Sequence, residues 1–159
     1  MFPEGTASIP DEEWQDVFAL NLFSAVRVTN AVLSALRASK AASVVNISST
    51  AATLPFGPTA HYGAAKAALD AYSRTLAVDL AASGIRVNVV TPGPIATPSA
   101  DELRKNFPGI SADDWLEYLP LGRIGAPQDI AEVVALLVSA RGAWLTGVTY
   151  RVDGGMTAR

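Results

Sequence analysis

Apolar residues along this chain follow two rhythms. Between Trp14 and Leu36 they recur at three- and four-residue steps, as Trp14, Phe18, Ala25, Val28, Val32 and Leu36, which predicts a helix with one buried stripe. Pro3, Gly5 and Pro10 predict a loop ahead of it, with Asp11 as its cap and Glu12 and Glu13 at the positive end of the helix dipole. The run from Ser43 to Ser48 is short and rich in valine and isoleucine, as expected of a strand buried on both faces in a parallel sheet. From about Thr59 the helical rhythm returns and runs to Ala82. Ala65, Leu69, Tyr72, Leu76 and Leu80 form the core stripe, and Gly84 stands at the left-handed position past the end. A second face of this helix, Gly63, Ala64, Ala67, Ala68 and Ala71, is nearly free of bulk and would admit a neighbouring backbone closely. Ile85 to Thr91 alternates into a second strand and Val148 to Val152 makes a third. Between those two, Pro127 at a first turn, Asp129 and Glu132 near the positive end, and Ile130, Val133, Val134 and Leu137 on one side predict the last long helix.

Polar residues that interrupt these patterns are the candidates for chemistry. Asn21 falls inside the first stripe. A buried amide without partners costs roughly 1 to 3 kcal/mol, so it bonds backbone or water where the helix bends, either as a satisfied core residue or as part of a site. Ser48 and Ser49 stand at the carboxyl end of the first strand, where open α/β sheets bind ligands. A serine at such a place can equally cap a turn. After the second strand, TPGPIATP forces a stiff loop that presents backbone groups, or serves only to end the strand. Residues 98 to 120 hold a short helix, a capping-box start at Ser111 with Asp114, and a concentration of Phe107, Trp115, Leu116, Tyr118 and Leu119.

Near the start of the second long helix stand Tyr62 and Lys66, four residues apart and so on one face. At roughly 4 Å and an effective dielectric of about 20, one positive charge contributes on the order of 4 kcal/mol. That is enough to bring a phenol from about 10 towards neutrality against the cost of desolvation, which is a way to make a base from tyrosine. His61 beside it suggests a hydrolase with Ser49, but no GxSxG elbow occurs.

Half of the 159 residues are hydrophobic and 17% are charged, below the usual quarter. This favours an oligomer or a partner segment over a fully exposed surface. A net charge of −3 without a basic cluster points away from nucleic acid. The absence of cysteine and the single histidine leave no zinc constellation and no metal site. No apolar run reads as approaching the roughly 20 residues of a membrane span and no signal peptide opens the chain, so a soluble, cytoplasmic protein is expected.

The ordered segments NISST, HYGAAK, FALNLFSAV, RVNVVTPGPIAT, LGRIGAPQDIAEVVALLVS and TGVTYRVDGG together resemble the short-chain dehydrogenase/reductase family over essentially the whole chain. The resemblance implies a single partial Rossmann-like α/β domain, residues 1–159, with a parallel sheet reduced to the last three strands of seven. It implies an oxidoreductase that interconverts an alcohol and a ketone or aldehyde with NAD or NADP. Tyr62, Lys66, Ser49 and Asn21 would be its catalytic residues, Asn21 through a water linked to the lysine. Pro92, Gly93, Ile95 and Thr97 would join Tyr62 and Lys66 in meeting the cofactor, Ile95 through main-chain bonds to the carboxamide. Residues 98–120 would form a lid over a small-molecule substrate. The two long helices would build a dimer interface, within a dimer or tetramer, and the Asp153, Gly154 and Gly155 turn would lie at a subunit contact.

No GxxxGxG or GxGxxG turn occurs in these residues, nor the NNAG element that relatives carry. The expectation is therefore a carboxyl-terminal half from a truncated gene product, a chain complemented by another polypeptide, or an unusual oligomer. The strand at 43 to 48 is left as an open edge and cofactor binding by this chain alone is weak or absent. The residues that would read the 2′ position are missing as well, so NAD and NADP are not distinguished. The alternative is a non-catalytic remnant that acts only through oligomerisation, or has no role.

Overall fold

The computed structural model describes residues 5–54, 59–98, 100 and 115–158. Phe107 and the Ser111 to Asp114 capping box of the expected lid lie outside the described residues, as does the middle of the loop before the tyrosine helix. Three parallel strands, β1 (Ser43–Ile47), β2 (Arg86–Pro92) and β3 (Thr149–Val152), stand in the order β1-β2-β3. The helices are α1 (Asp11–Phe18), which continues through a π turn (Ala19–Phe23) into α2 (Ser24–Ala38), then α3 (Ala60–Ala81) and α4 (Pro127–Val138). The register Ser43↔Arg86 to Ile47↔Val90 and Val89↔Thr149 to Pro92↔Val152 brings the carboxyl ends of all three strands to one edge of the layer. This is the Rossmann-like arrangement that the resemblance implies.

The core lies around the central strand. Val87, Asn88, Val89, Val90 and Thr91 are buried in succession, because β2 has a strand on each side and helices on its faces. Ala42, Ala77, Leu80, Ile85 and Val87 form the buried cluster, with Leu33, Leu36, Val44 and Leu76 packed against it. The helix α3 ends with the paired bonds of a Schellman motif: the Gly84 amide donates to the Ala81 carbonyl at 2.9 Å and the Ile85 amide to the Leu80 carbonyl at 3.3 Å. Gly84 takes φ 70, the left-handed conformation that its sequence position called for. At the far end of α4, the Arg86 guanidinium donates to the Leu137 carbonyl at 2.6 Å, where a cation meets the negative end of the dipole. Burial works against the Asp153 carboxylate, but bonds from the Thr157 hydroxyl and amide and from the Gly155 amide hold it below the usual carboxylate range.

Four expectations are corrected. Pro10, not Asp11, occupies the cap of α1; Asp11 is the first helical residue and joins Glu12 and Glu13 in the acidic first turn. Val28 and Val32 of the expected buried stripe are exposed, at 62% and 42%, while Thr29 is buried. The π turn inserts its wider step between Trp14 and Val28, so a stripe drawn with one helical period drifts off the packed face. β1 is not buried on both faces: its residues are half-buried and Ile47 is 43% exposed, since no strand pairs with its outer edge among the described residues. Lastly, the run Asp11–Ala38, with a hydropathy of 1.4, is long and apolar enough by length and composition to cross a membrane. Its inner face packs on α3, where Trp14 sets its ring 6.0 Å from that of His61 in an edge contact.

Candidate active site

Ser49, Tyr62 and Lys66 are brought to the carboxyl end of β1 by one close approach. A Cβ on Gly63 would stand 2.7 Å from the Ala51 carbonyl oxygen, so only glycine lets the first turns of α3 press against the turn Thr50–Ala52. Ser49 caps that turn, its hydroxyl accepting from the Ala51 amide at 3.2 Å, and Tyr62 is the neighbour of Gly63 in sequence. The small-residue face predicted for this helix thus admits a backbone of the chain itself. The turn-capping role open to Ser49 is filled, and its hydroxyl proton is still available to donate.

Lys66 lies one turn on. Its ammonium donates to the Ile47 carbonyl at 2.9 Å and stands 5.7 Å from the centroid of the Tyr62 ring, over its face. Burial pulls the Lys66 ammonium below its ordinary value and the Asp70 carboxylate opposes this. Asn21 sits in the π turn that packs on α3, and its side-chain amide donates to the Val17 carbonyl at 3.0 Å. That is the backbone bond expected for an amide at a helix bend. It occupies one donor, and no bond to the amide oxygen is found among the described residues.

Pro92 closes β2, and Gly93 follows where a Cβ would meet the Asp153 Cα at 2.8 Å. The loop is pinned by a parallel bridge between Ile95 and Gly125: the Gly125 amide donates to the Pro94 carbonyl and the Ala96 amide to the Gly125 carbonyl. In such a bridge the N–H and C=O of the bridged residue point the other way. Those of Ile95 therefore face away from Gly125, and no backbone bond to either is found among the described residues. Main-chain groups turned outward beside a strand end fit an amide-bearing ring. Thr97 caps the next turn, its hydroxyl accepting from the Ala100 amide at 3.2 Å.

A cleft of about 120 Å³ lies on the β3 side of this loop, lined by Pro94, Ile95, Leu119, Leu121, Val152 and Asp153 among others, and does not reach Ser49, Tyr62 or Lys66. The candidate residues stand instead at the carboxyl end of β1, where the Lys66 ammonium meets the Ile47 carbonyl. Two features escaped the sequence reading. Arg123 grips Asp129 through two bonds of 2.7 and 2.9 Å, and with the Ala126 amide it draws that carboxyl down to about 2. Asp70 is buried beneath α3, and the signal was a carboxylate placed next to Leu69 on the inner side of a helix.

Residues 2–157 match the family profile described as Enoyl-(Acyl carrier protein) reductase, and the chain belongs to the short-chain dehydrogenase/reductase family. It is 41% identical over 150 residues to the 3-oxoacyl-[acyl-carrier-protein] reductase FabG of Escherichia coli, covering 92% of this chain and 58% of that protein. Among solved structures it is similar to a short-chain dehydrogenase/reductase (glucose/ribitol dehydrogenase) from Brucella melitensis, with a TM-score of 0.85 and 36% identity over 94% of this chain and 58% of that one. An NADPH-bound short chain oxidoreductase from Pseudomonas aeruginosa, described as having an atypical catalytic center, gives a TM-score of 0.86 at 27% identity over 96% and 60% of the two chains. The chain thus spans somewhat under two thirds of the length of these relatives.

Proposed function

We propose that these residues are the catalytic end of a short-chain oxidoreductase that interconverts an alcohol and a carbonyl. The observation that carries the reading is the seating of the Ser49 turn against Gly63, which puts a hydroxyl donor, a phenol and an ammonium around one strand end. Tyr62 exchanges the proton of the substrate hydroxyl, Ser49 donates a hydrogen bond to the substrate oxygen, and Lys66 supplies the positive charge that offsets the phenolate. Asn21, through its amide oxygen, holds a water on the proton path to Lys66. Bound NAD or NADP would supply hydride chemistry. The Ile95 main chain, with Pro92, Gly93 and Thr97 around it, would hold its carboxamide end, while Tyr62 and Lys66 meet the ribose side. The glycine-rich turn that cradles a pyrophosphate is not among the 159 residues, so the affinity of this chain for a dinucleotide is low. Residues 98–120 close over the substrate in this reading, and the protein is cytoplasmic.

The experiment is a fluorescence titration of the purified chain with NADH and NADPH, followed by turnover of a 3-oxoacyl thioester and of simple ketones, with Tyr62→Phe as control. Turnover that falls at least about 100-fold in Tyr62→Phe, the scale of a lost general acid–base group, supports the reading; equal turnover in both proteins ends it.

A second reading, pairing without catalysis, is favoured by the outer face of the first helical run. Leu20, Phe23, Val28 and Val32 lie exposed at helical spacing, with Leu20 at 73%. Such a stripe suits a second copy of the chain or a longer relative. Sedimentation of the chain alone and mixed with a full-length relative separates the two: no cofactor binding with a mixed oligomer favours pairing.

A further inference from the structure

Beneath α3 lies a polar group that the proposed reaction does not use. Asn46 reaches Ser73 of α3 at 2.9 Å, so the side of β1 that carries Asn46 faces this helix. Ser48, two residues on, shares that side. The register Ile47↔Val90 sets Ser48 beside Thr91, and Thr91 pairs with Arg151 on β3. Into this place α3 lowers Asp70, which is 7% exposed. One of its oxygens, Oδ1, is buried with no partner among the described residues, and the Thr91 hydroxyl, 2% exposed, is in the same condition.

Ser48 joins Asp70 to Lys66. Its hydroxyl donates to the backbone carbonyl of Lys66 at 3.4 Å, and its nearness favours the ionised form of the Asp70 carboxyl. The charged groups that bear on Asp70 are Lys66 and Arg74 on its own helix and Arg151 on β3, with Ser48 and Thr91 as the neutral groups on its other sides.

We propose that Asp70 is the positioning residue of Lys66: its buried carboxylate, one turn along the same helix, keeps the ammonium charged at the site. The proposal rests on Lys66 being the cation of that site. Ionised Asp70 keeps Lys66 protonated against the burial that favours its neutral form. Protonated Asp70 withdraws that support.

The chain has three lysines, Lys40, Lys66 and Lys105, so 13Cε-lysine labelling resolves the Lys66 signal, assigned by its loss in Lys66→Arg. The expected result is a lower titration midpoint for Lys66 in Asp70→Asn than in the native chain. A neutral amide there avoids the cost of a buried charge, so that variant keeps the fold, checked by near-UV circular dichroism. An unchanged midpoint overturns the proposal. So does an equal fall in Thr91→Val, which removes a hydroxyl and no charge, because packing would then set the lysine. The native chain gives a readout that needs no substitution: the Lys66 signal carries a second inflection at acid pH, coincident with the Asp70 carboxyl carbon and above the usual carboxylate range. Its absence overturns the proposal as well. Failure of the oxidoreductase reading shows instead as turnover indifferent to Tyr62→Phe, which leaves the lysine titration untouched.

Discussion

The neighbouring strands β1 and β2 are similar in sequence and opposite in surroundings. Each is valine-rich and each has one asparagine, Asn46 in Ser43–Ile47 and Asn88 in Arg86–Pro92. Asn88 is 1% exposed and stitches β2 to the segment before β3, donating to the Leu145 carbonyl at 2.7 Å and accepting from the Val148 amide at 3.2 Å. Asn46 is half-buried and its side chain makes one bond among the described residues, to Ser73. The difference teaches that burial here is conferred by neighbours. β2 has strands on both sides, whereas among the described residues no strand covers the outer edge of β1, and the proposed chemistry stands at that strand's carboxyl end.

Substitution of the two asparagines tests this most strongly. Asn88→Ala removes two hydrogen bonds at a side chain that is 1% exposed and is expected to cost about 3 kcal/mol in urea unfolding, against about 1 kcal/mol for Asn46→Ala. Equal losses would break the contrast between centre and edge. Next in size is Gly63→Ala, whose methyl must displace the Ala51 carbonyl. An overpacking cost of about 2 kcal/mol is expected, along with a displaced Ser49 turn and a fall in any Tyr62-dependent turnover. Wild-type turnover in that variant would mean that the close approach does not assemble the site.

The smallest effect belongs to the surface pair on the far side of the sheet. Arg123 and the Ala126 amide hold the Asp129 carboxyl at about 2, below its unfolded value of about 3.9. A depressed carboxyl contributes stability that is present above the unfolded value and is lost as pH falls from there through about 2. In Arg123→Ala the acid loss is expected to shrink, read as a flatter melting temperature across that interval. The effect at neutral pH is small because the pair is solvent-screened. A large neutral-pH loss would mean that the loop from Leu121 to Ala126 depends on this pair more than on its bridge to Ile95.

Much of this was legible in the chain. The strand at Ile85 to Thr91 and the helix ending before Gly84 were written in alternation and in a glycine that tolerates positive φ. That Tyr62 and Lys66 share a face followed from their spacing, because a helix puts positions four apart on one side whatever surrounds it. The stripe through Val28 and Val32 was misread because a π turn depends on where α1 meets α3, which no single helical period encodes. Asp70 was passed over because a carboxylate at that place reads as solvated until the register of β1 and β2 shows that Ser48 and Thr91 cover it.

What the sequence determined, then, is local: which segments are helix or strand, where they stop, and which side chains share a face, all fixed by covalent geometry and side-chain shape. Tertiary structure decided what each face meets. It seated the turn after Ser49 against Gly63, turned the main chain of Ile95 outward by bridging its neighbours to Gly125, and among the described residues gave β2 two neighbouring strands and β1 one. Burial and the electrostatics that follow from it are properties of neighbours in space, and those are set by packing between segments far apart along the chain.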